Sequence, residues 1–124
     1  MKTTQRRITA KKLLKYLYII GLMLIVWTST IDTSVSYTVF VYYPTMFLET
    51  EANKIFSFGL ERDIPIFLNP SIIIEFAFIV VYSLSWQLYN KKETYFRAIF
   101  FLMMIVIILG ASGAHLSGAR SWLG

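Results

Sequence analysis

Three ionisable residues, Asp32, Glu75 and His115, stand within stretches that are otherwise apolar. Carboxylates and an imidazole together suit proton exchange, and the same mixture of ligands suits a divalent cation. Glu51 and Asn53, a short way past the first apolar run, are the candidate additions to such a site. Ser117 completes a catalytic triad with His115 and Asp32 only on paper, because side chains two positions apart on a helix diverge. His115 is the single histidine and cysteine is absent, which excludes disulfides, thiolate metal sites, iron–sulfur ligation and bis-histidine haem within the chain. Neither a Gly-rich phosphate loop nor a paired-histidine motif occurs. No cofactor is expected, the metal content is left open, and the chain is not expected to be an enzyme by itself.

These residues must be positioned by three long apolar runs. The first is free of charge from Tyr16 to Ile31, is interrupted by Asp32, and regains its apolar character up to Pro44. A run of this length predicts a membrane span over residues 14–42. Ser34-Val35-Ser36 has the small-x-small form of a signal cleavage site, but the chain stays apolar beyond it, so cleavage is not expected. Asn69-Pro70 is a good helix start, with a side-chain acceptor followed by a residue that lacks the N–H a first turn cannot use. It opens the second span, residues 71–89, whose Trp86 and Tyr89 are expected in the interfacial aromatic belt. Asn90-Lys91-Lys92-Glu93 forms a tight turn, Thr94 caps the next helix, and the third span covers residues 95–116. So short a connection makes the last two spans antiparallel neighbours.

Residues 43–70 hold Pro44, Pro65 and Pro70, together with Glu49, Glu51, Glu61 and Asp63, among recurring Phe, Ile and Leu. This mixture predicts a segment lying at the membrane interface or folded back over the bundle. A short helix around residues 50–58, ended by Gly59, is expected within it.

Composition agrees with the pattern. The 124 residues are 56% hydrophobic and 15% charged, against roughly 25% charged in a soluble domain. The expected architecture is a single all-α integral membrane domain over residues 1–124, three transmembrane helices with an interfacial outer segment between the first and second. The net charge of +5 does not point to nucleic acid, because the basic residues sit at the ends of apolar runs. Lys2, Arg6, Arg7, Lys11, Lys12 and Lys15 precede the first span, and Lys91, Lys92 and Arg97 lie in the turn between the last two. Only Lys54, Arg62 and Arg120 fall on the other side. The positive-inside rule then predicts a plasma-membrane protein with a cytoplasmic N-terminus and an external C-terminus.

In this topology Asp32 lies about 24 Å and His115 about 28 Å from the inner boundary, with Glu75 about 6 Å in from the outer one. In a hydrocarbon core about 30 Å thick, all three share the outer third. Each span thus contributes one ionisable residue to a single polar layer. The last span ends in GASGAHLSGA, where Gly110/Ala114, Gly113/Ser117 and Ala114/Gly118 form overlapping small-x-x-x-small pairs. Such pairs let helix backbones approach closely, either within the bundle or against another subunit.

The order of Asp32-Thr33, Glu51-Ala52-Asn53, Arg97 after the Lys91-Lys92 turn, and His115 resembles an uncharacterised family of small bacterial and archaeal multi-pass membrane proteins. That family has Asp in the first span, a Glu-Ala-Asn-Pro-like element after it, and a His in the terminal helix. The resemblance covers residues 15–117 and departs at Lys54, where the family has Pro, and in a longer 55–70 segment. It implies the fold and the polar layer, and no activity. From size, missing catalytic motifs and the small-residue helix, the expected function is a non-catalytic accessory subunit of a larger membrane complex, such as a respiratory or membrane-oxygenase assembly. The partners would be the lipid bilayer and other membrane subunits. The alternative is a small ion- or proton-handling protein built on the polar layer.

Overall fold

In a computed structural model, which describes residues 2–124, the regular elements are all helices. Three of them are long and apolar enough to span a membrane. The first, α1, runs from Lys2 to Tyr42 without a break. It takes in the basic tail as well as the expected span, because neither Gly nor Pro occurs before Gly21 and most tail residues are good helix formers. At 41 residues it is about 60 Å long. Its hydroxyl side chains do not need water: Thr28, Thr30 and Thr38 donate to the carbonyls of Leu24, Val26 and Ser34 at 2.6–2.7 Å.

The chain breaks at Tyr43 and enters α2, Pro44–Thr50, then α3, Lys54–Glu61. The short helix expected at 50–58 is therefore two helices, and Gly59 does not end the second. Gly59 lies inside α3 because the Asn69 side chain packs on its backbone, in space that a β-carbon would occupy. The stop falls later, at Asp63, whose φ of 54° lies in the left-handed region. There Asp63 N–H donates to Leu60 O at 3.2 Å and Ile64 N–H to Gly59 O at 3.0 Å, the paired bonds of a Schellman ending.

After a 3₁₀ turn at Ile66–Leu68, α4 covers Pro70–Lys91 and α5 covers Tyr95–Leu123. Both start as the sequence predicts: Asn69 accepts from Ser71 N–H, and Thr94 accepts from Arg97 N–H. Asn69 is fully buried and also donates to Phe56 O at 3.0 Å, so one side chain caps α4 and pins α3. The Arg97 guanidinium donates to Leu88 O at 2.8 Å, closing the α4 end of the tight turn.

Helix α5 is the centre of the bundle, with the backbones of α1 and α4 both close to it and further from each other, so that those two meet through long side chains. Two apolar clusters result. Towards the N-terminal end of α1, Phe101 stacks against Tyr82 and Tyr89 at 6.0 and 6.2 Å, and Tyr18 stacks against Trp86 at 5.5 Å. Trp86 and Tyr89 are thus packed into the core, because α1 and α5 cover both rings. Tyr82 donates its hydroxyl to Tyr18 O at 3.0 Å, an approach that Gly21 permits. At the opposite end, Phe47 is fully buried and stacks on Trp122 at 5.2 Å, next to Phe56 and Leu60. The segment between the first two long helices is folded back over the bundle. The outward faces carry Met23, Trp27, Phe76 and Val106, an apolar surface compatible with lipid contact.

Candidate functional site

Between the two apolar clusters the three long helices meet at one histidine. His115 Nδ1 lies 2.8 Å from Asp32 Oδ2, and His115 Nε2 lies 3.1 Å from Glu75 Oε1. An imidazole from α5 is therefore held between a carboxylate of α1 and a carboxylate of α4. Side-chain exposure is 21% for His115, 21% for Asp32 and 17% for Glu75, so the group is half-buried rather than sealed.

Local structure explains why these three meet. Asp32 does not break α1, because its carboxylate finds a partner on α5 and accepts a long 3.4 Å bond from Ser36 one turn on. Gly118, also one turn from His115, faces the same carboxylate, and a β-carbon there would lie 2.9 Å from Asp32 Oδ1. Asn69 fixes where α4 begins, and so fixes the depth of Glu75 in its second turn.

Glu51 and Asn53 do not touch the imidazole. Glu51 accepts from Asn53 N–H at 2.8 Å; the Asn53 side chain caps α3 at Phe56 N–H and donates to Ser71 Oγ at 2.8 Å. Both nevertheless line the spaces around it. A cavity of about 30 Å³ is walled by Asp32, Thr33, Ser36, Glu51, Asn53 and Glu75. It is polar and large enough for a single water. A cleft of about 420 Å³ opens beside Asp32, between the 50–53 turn and Trp122. A third space, about 260 Å³ and mostly apolar, opens beside Glu75 and Phe78.

No family model, curated protein or solved structure matches this chain. Of the residues that carry the family resemblance, Asp32, Glu51, Asn53 and His115 surround one cleft. Arg97 lies apart, at the α4–α5 turn.

Among the described residues no three His, Asp or Glu side chains converge in the manner of metal ligands. The reason is geometric: the two ring nitrogens point in opposite directions, so the two carboxylates stand on opposite sides of the ring. Of the three glycines in the small-residue stretch of α5, Gly118 packs against the Asp32 carboxylate, and Ala114 lines the cleft beside it. A β-carbon on Gly110 or Gly113 would meet nothing within 4 Å, and Ala114 and Ser117 are exposed. Gly118 and Ser36 are the site residues that sequence reasoning missed as such. The Asp32-x-x-x-Ser36 and His115-x-x-Gly118 spacings were the available signals, since both place the partner one turn away on the same face.

Proposed function

We propose that this chain is a small three-span membrane protein that takes up and releases protons at the Asp32–His115–Glu75 junction. The observation that carries this reading is that both ring nitrogens of the only histidine face carboxylate oxygens from two other helices. A neutral imidazole has one N–H and one bare nitrogen, and an ionised carboxylate only accepts. With a neutral ring and two carboxylates, one of the two contacts has no hydrogen between its atoms. Uptake of one proton, at the bare nitrogen or at the carboxyl group facing it, supplies the missing hydrogen. The proton content of the group is thereby tied to the contact among three helices.

The cleft beside Asp32 and the small polar cavity that Asp32 shares with Glu75 support a route to water on the side of the 43–70 segment. Beneath the junction lie Ile25, Ile108 and the Tyr82 ring, all fully buried, so the reading is proton exchange with one side and not conduction through a single chain. The distribution of Lys and Arg supports an external location for that side, with the N-terminus cytoplasmic and the plasma membrane as the site of residence. Because His115 is the single histidine, ¹⁵N-histidine labelling gives ring signals from this residue alone. Both nitrogens are expected protonated at the acid end of a titration, with one proton lost in a step that Glu75→Gln and Asp32→Asn each displace. Ring shifts that stay constant with pH, or a step that ignores both variants, reject the proposal.

A second reading, a non-catalytic accessory subunit of a larger membrane complex, is favoured by the open face of Gly110 and Gly113 on α5. Small residues that pack on nothing within the chain suit a close helix from another subunit. Stoichiometric co-purification with larger subunits after mild detergent extraction tests it; purification as a lone chain goes against it.

A further inference from the structure

We infer that the N-terminal end of the bundle carries a binding site for the phosphate headgroup of an anionic phospholipid. The continuation of α1 through the basic tail holds Ile8, Lys11, Lys12 and Lys15 on one helix face, at i, i+3, i+4 and i+7. That face is exposed at Ile8, Lys12 and Lys15 and half-buried at Lys11. Together with Trp86 and Asn90 of α4 it walls a cavity of about 270 Å³ where the apolar part of α1 begins. Lys11 anchors the wall, with its Nζ 3.1 Å from Glu93 Oε1 and donating to Asn90 O at 3.3 Å. Lys12 and Lys15 have no carboxylate partner among the described residues, so two cations border one cavity without a counter-charge.

The rest of the wall selects the source of the anion. Ile8 and the Trp86 ring supply its apolar part. A cavity that joins ammonium groups to an apolar flank at a span end suits a headgroup whose acyl chains run along the bundle. A free phosphate would use only the charges. The inference is independent of the Asp32–His115–Glu75 junction, which lies towards the other end of the long helices.

Native mass spectrometry of the full chain in mild detergent, titrated with phosphatidylglycerol or with phosphatidylcholine, tests the site. Binding of phosphatidylglycerol is expected to be about tenfold tighter or more. The Lys12→Gln/Lys15→Gln variant is expected to lose the preference. Lys2→Gln/Arg6→Gln, which removes the same charge outside the cavity, and Lys12→Arg/Lys15→Arg, which keeps the charge, are expected to retain it. Excess inorganic phosphate is expected to leave the lipid in place. Equal affinity for the two lipids, retention of the preference by Lys12→Gln/Lys15→Gln, or its loss in either control variant overturns the site. Displacement of the lipid by inorganic phosphate overturns the assignment to a phospholipid.

Discussion

Gly118 lies against the carboxylate of Asp32, and a methyl group in place of its hydrogen would stand 2.9 Å from Oδ1 and 3.2 Å from Oδ2. The carboxylate is held from the other side by His115, so it has little room to retreat. Gly118→Ala is expected to lower stability by about 1–3 kcal/mol, the usual cost of overpacking a fitted site. Gly113→Ala on the same helix meets no neighbour and is expected to be neutral or to raise stability by up to about 1 kcal/mol, since alanine is the better helix former. Detergent-melting curves of the two variants make the comparison, and equal melting points would contradict the placement of Gly118.

Removing the imidazole differs from removing a charge beside it. His115→Leu leaves two carboxylates without their partner and is expected to cost about 3–5 kcal/mol. Asp32→Asn and Glu75→Gln keep a hydrogen-bonding group at each contact and are expected to cost about 1 kcal/mol each. Melting of the three variants under one condition checks the order. An amide variant as damaging as His115→Leu would show that the charge, and not the hydrogen bond, holds the junction.

Tyr82 and Gly21 form a coupled pair. A β-carbon at residue 21 would lie 2.5 Å from the Tyr82 hydroxyl, so Gly21→Ala is expected to be destabilising. Tyr82→Phe removes the obstructing oxygen and gives up the bond to Tyr18 O, worth about 1 kcal/mol. The double variant is expected to be more stable than the sum of the two single changes allows, by about 0.5–3 kcal/mol in a double-mutant cycle. Strict additivity would mean that the hydroxyl does not sit where Gly21 leaves space for it.

Topology can be read without background labelling, since the chain has no cysteine. An impermeant thiol reagent applied to intact cells is expected to label Glu61→Cys and to spare Lys92→Cys. Both positions are exposed, so burial does not confuse the result. The opposite pattern would invert the proposed orientation, and labelling of both would exclude it.

The junction was legible in the sequence because charge is conspicuous in apolar runs. Counting residues at 1.5 Å each put Asp32, Glu75 and His115 at one depth, and the structure bonds all three. The helix starts at Asn69 and Thr94 were legible too, since capping is local chemistry. What depended on neighbours was not. Trp86 and Tyr89 look the same in sequence whether or not other helices cover their rings, and only the packing of α1 and α5 decides it. Gly59 reads as a stop, but its role is to admit the buried side chain of Asn69. Gly110, Gly113 and Gly118 share one motif; depth on the helix cannot tell which of them turns towards α1.

The sequence distance between Asp32 and His115 has a consequence for biosynthesis. The partners are 83 residues apart, so at about 5–20 residues per second Asp32 emerges roughly 4–17 s before the imidazole that receives it. Glu75 waits for about half as long, being 40 residues ahead. Helix α5 comes last, and α1 and α4 both pack on it. Until it is made, the nascent chain has two carboxylates without their imidazole and two helices without the one on which both pack. A ribosome stalled after Glu75 and before His115 leaves a fragment with both acids and no imidazole, and the quality-control machinery of the membrane would meet the same orphaned acids as in a chain with His115 removed.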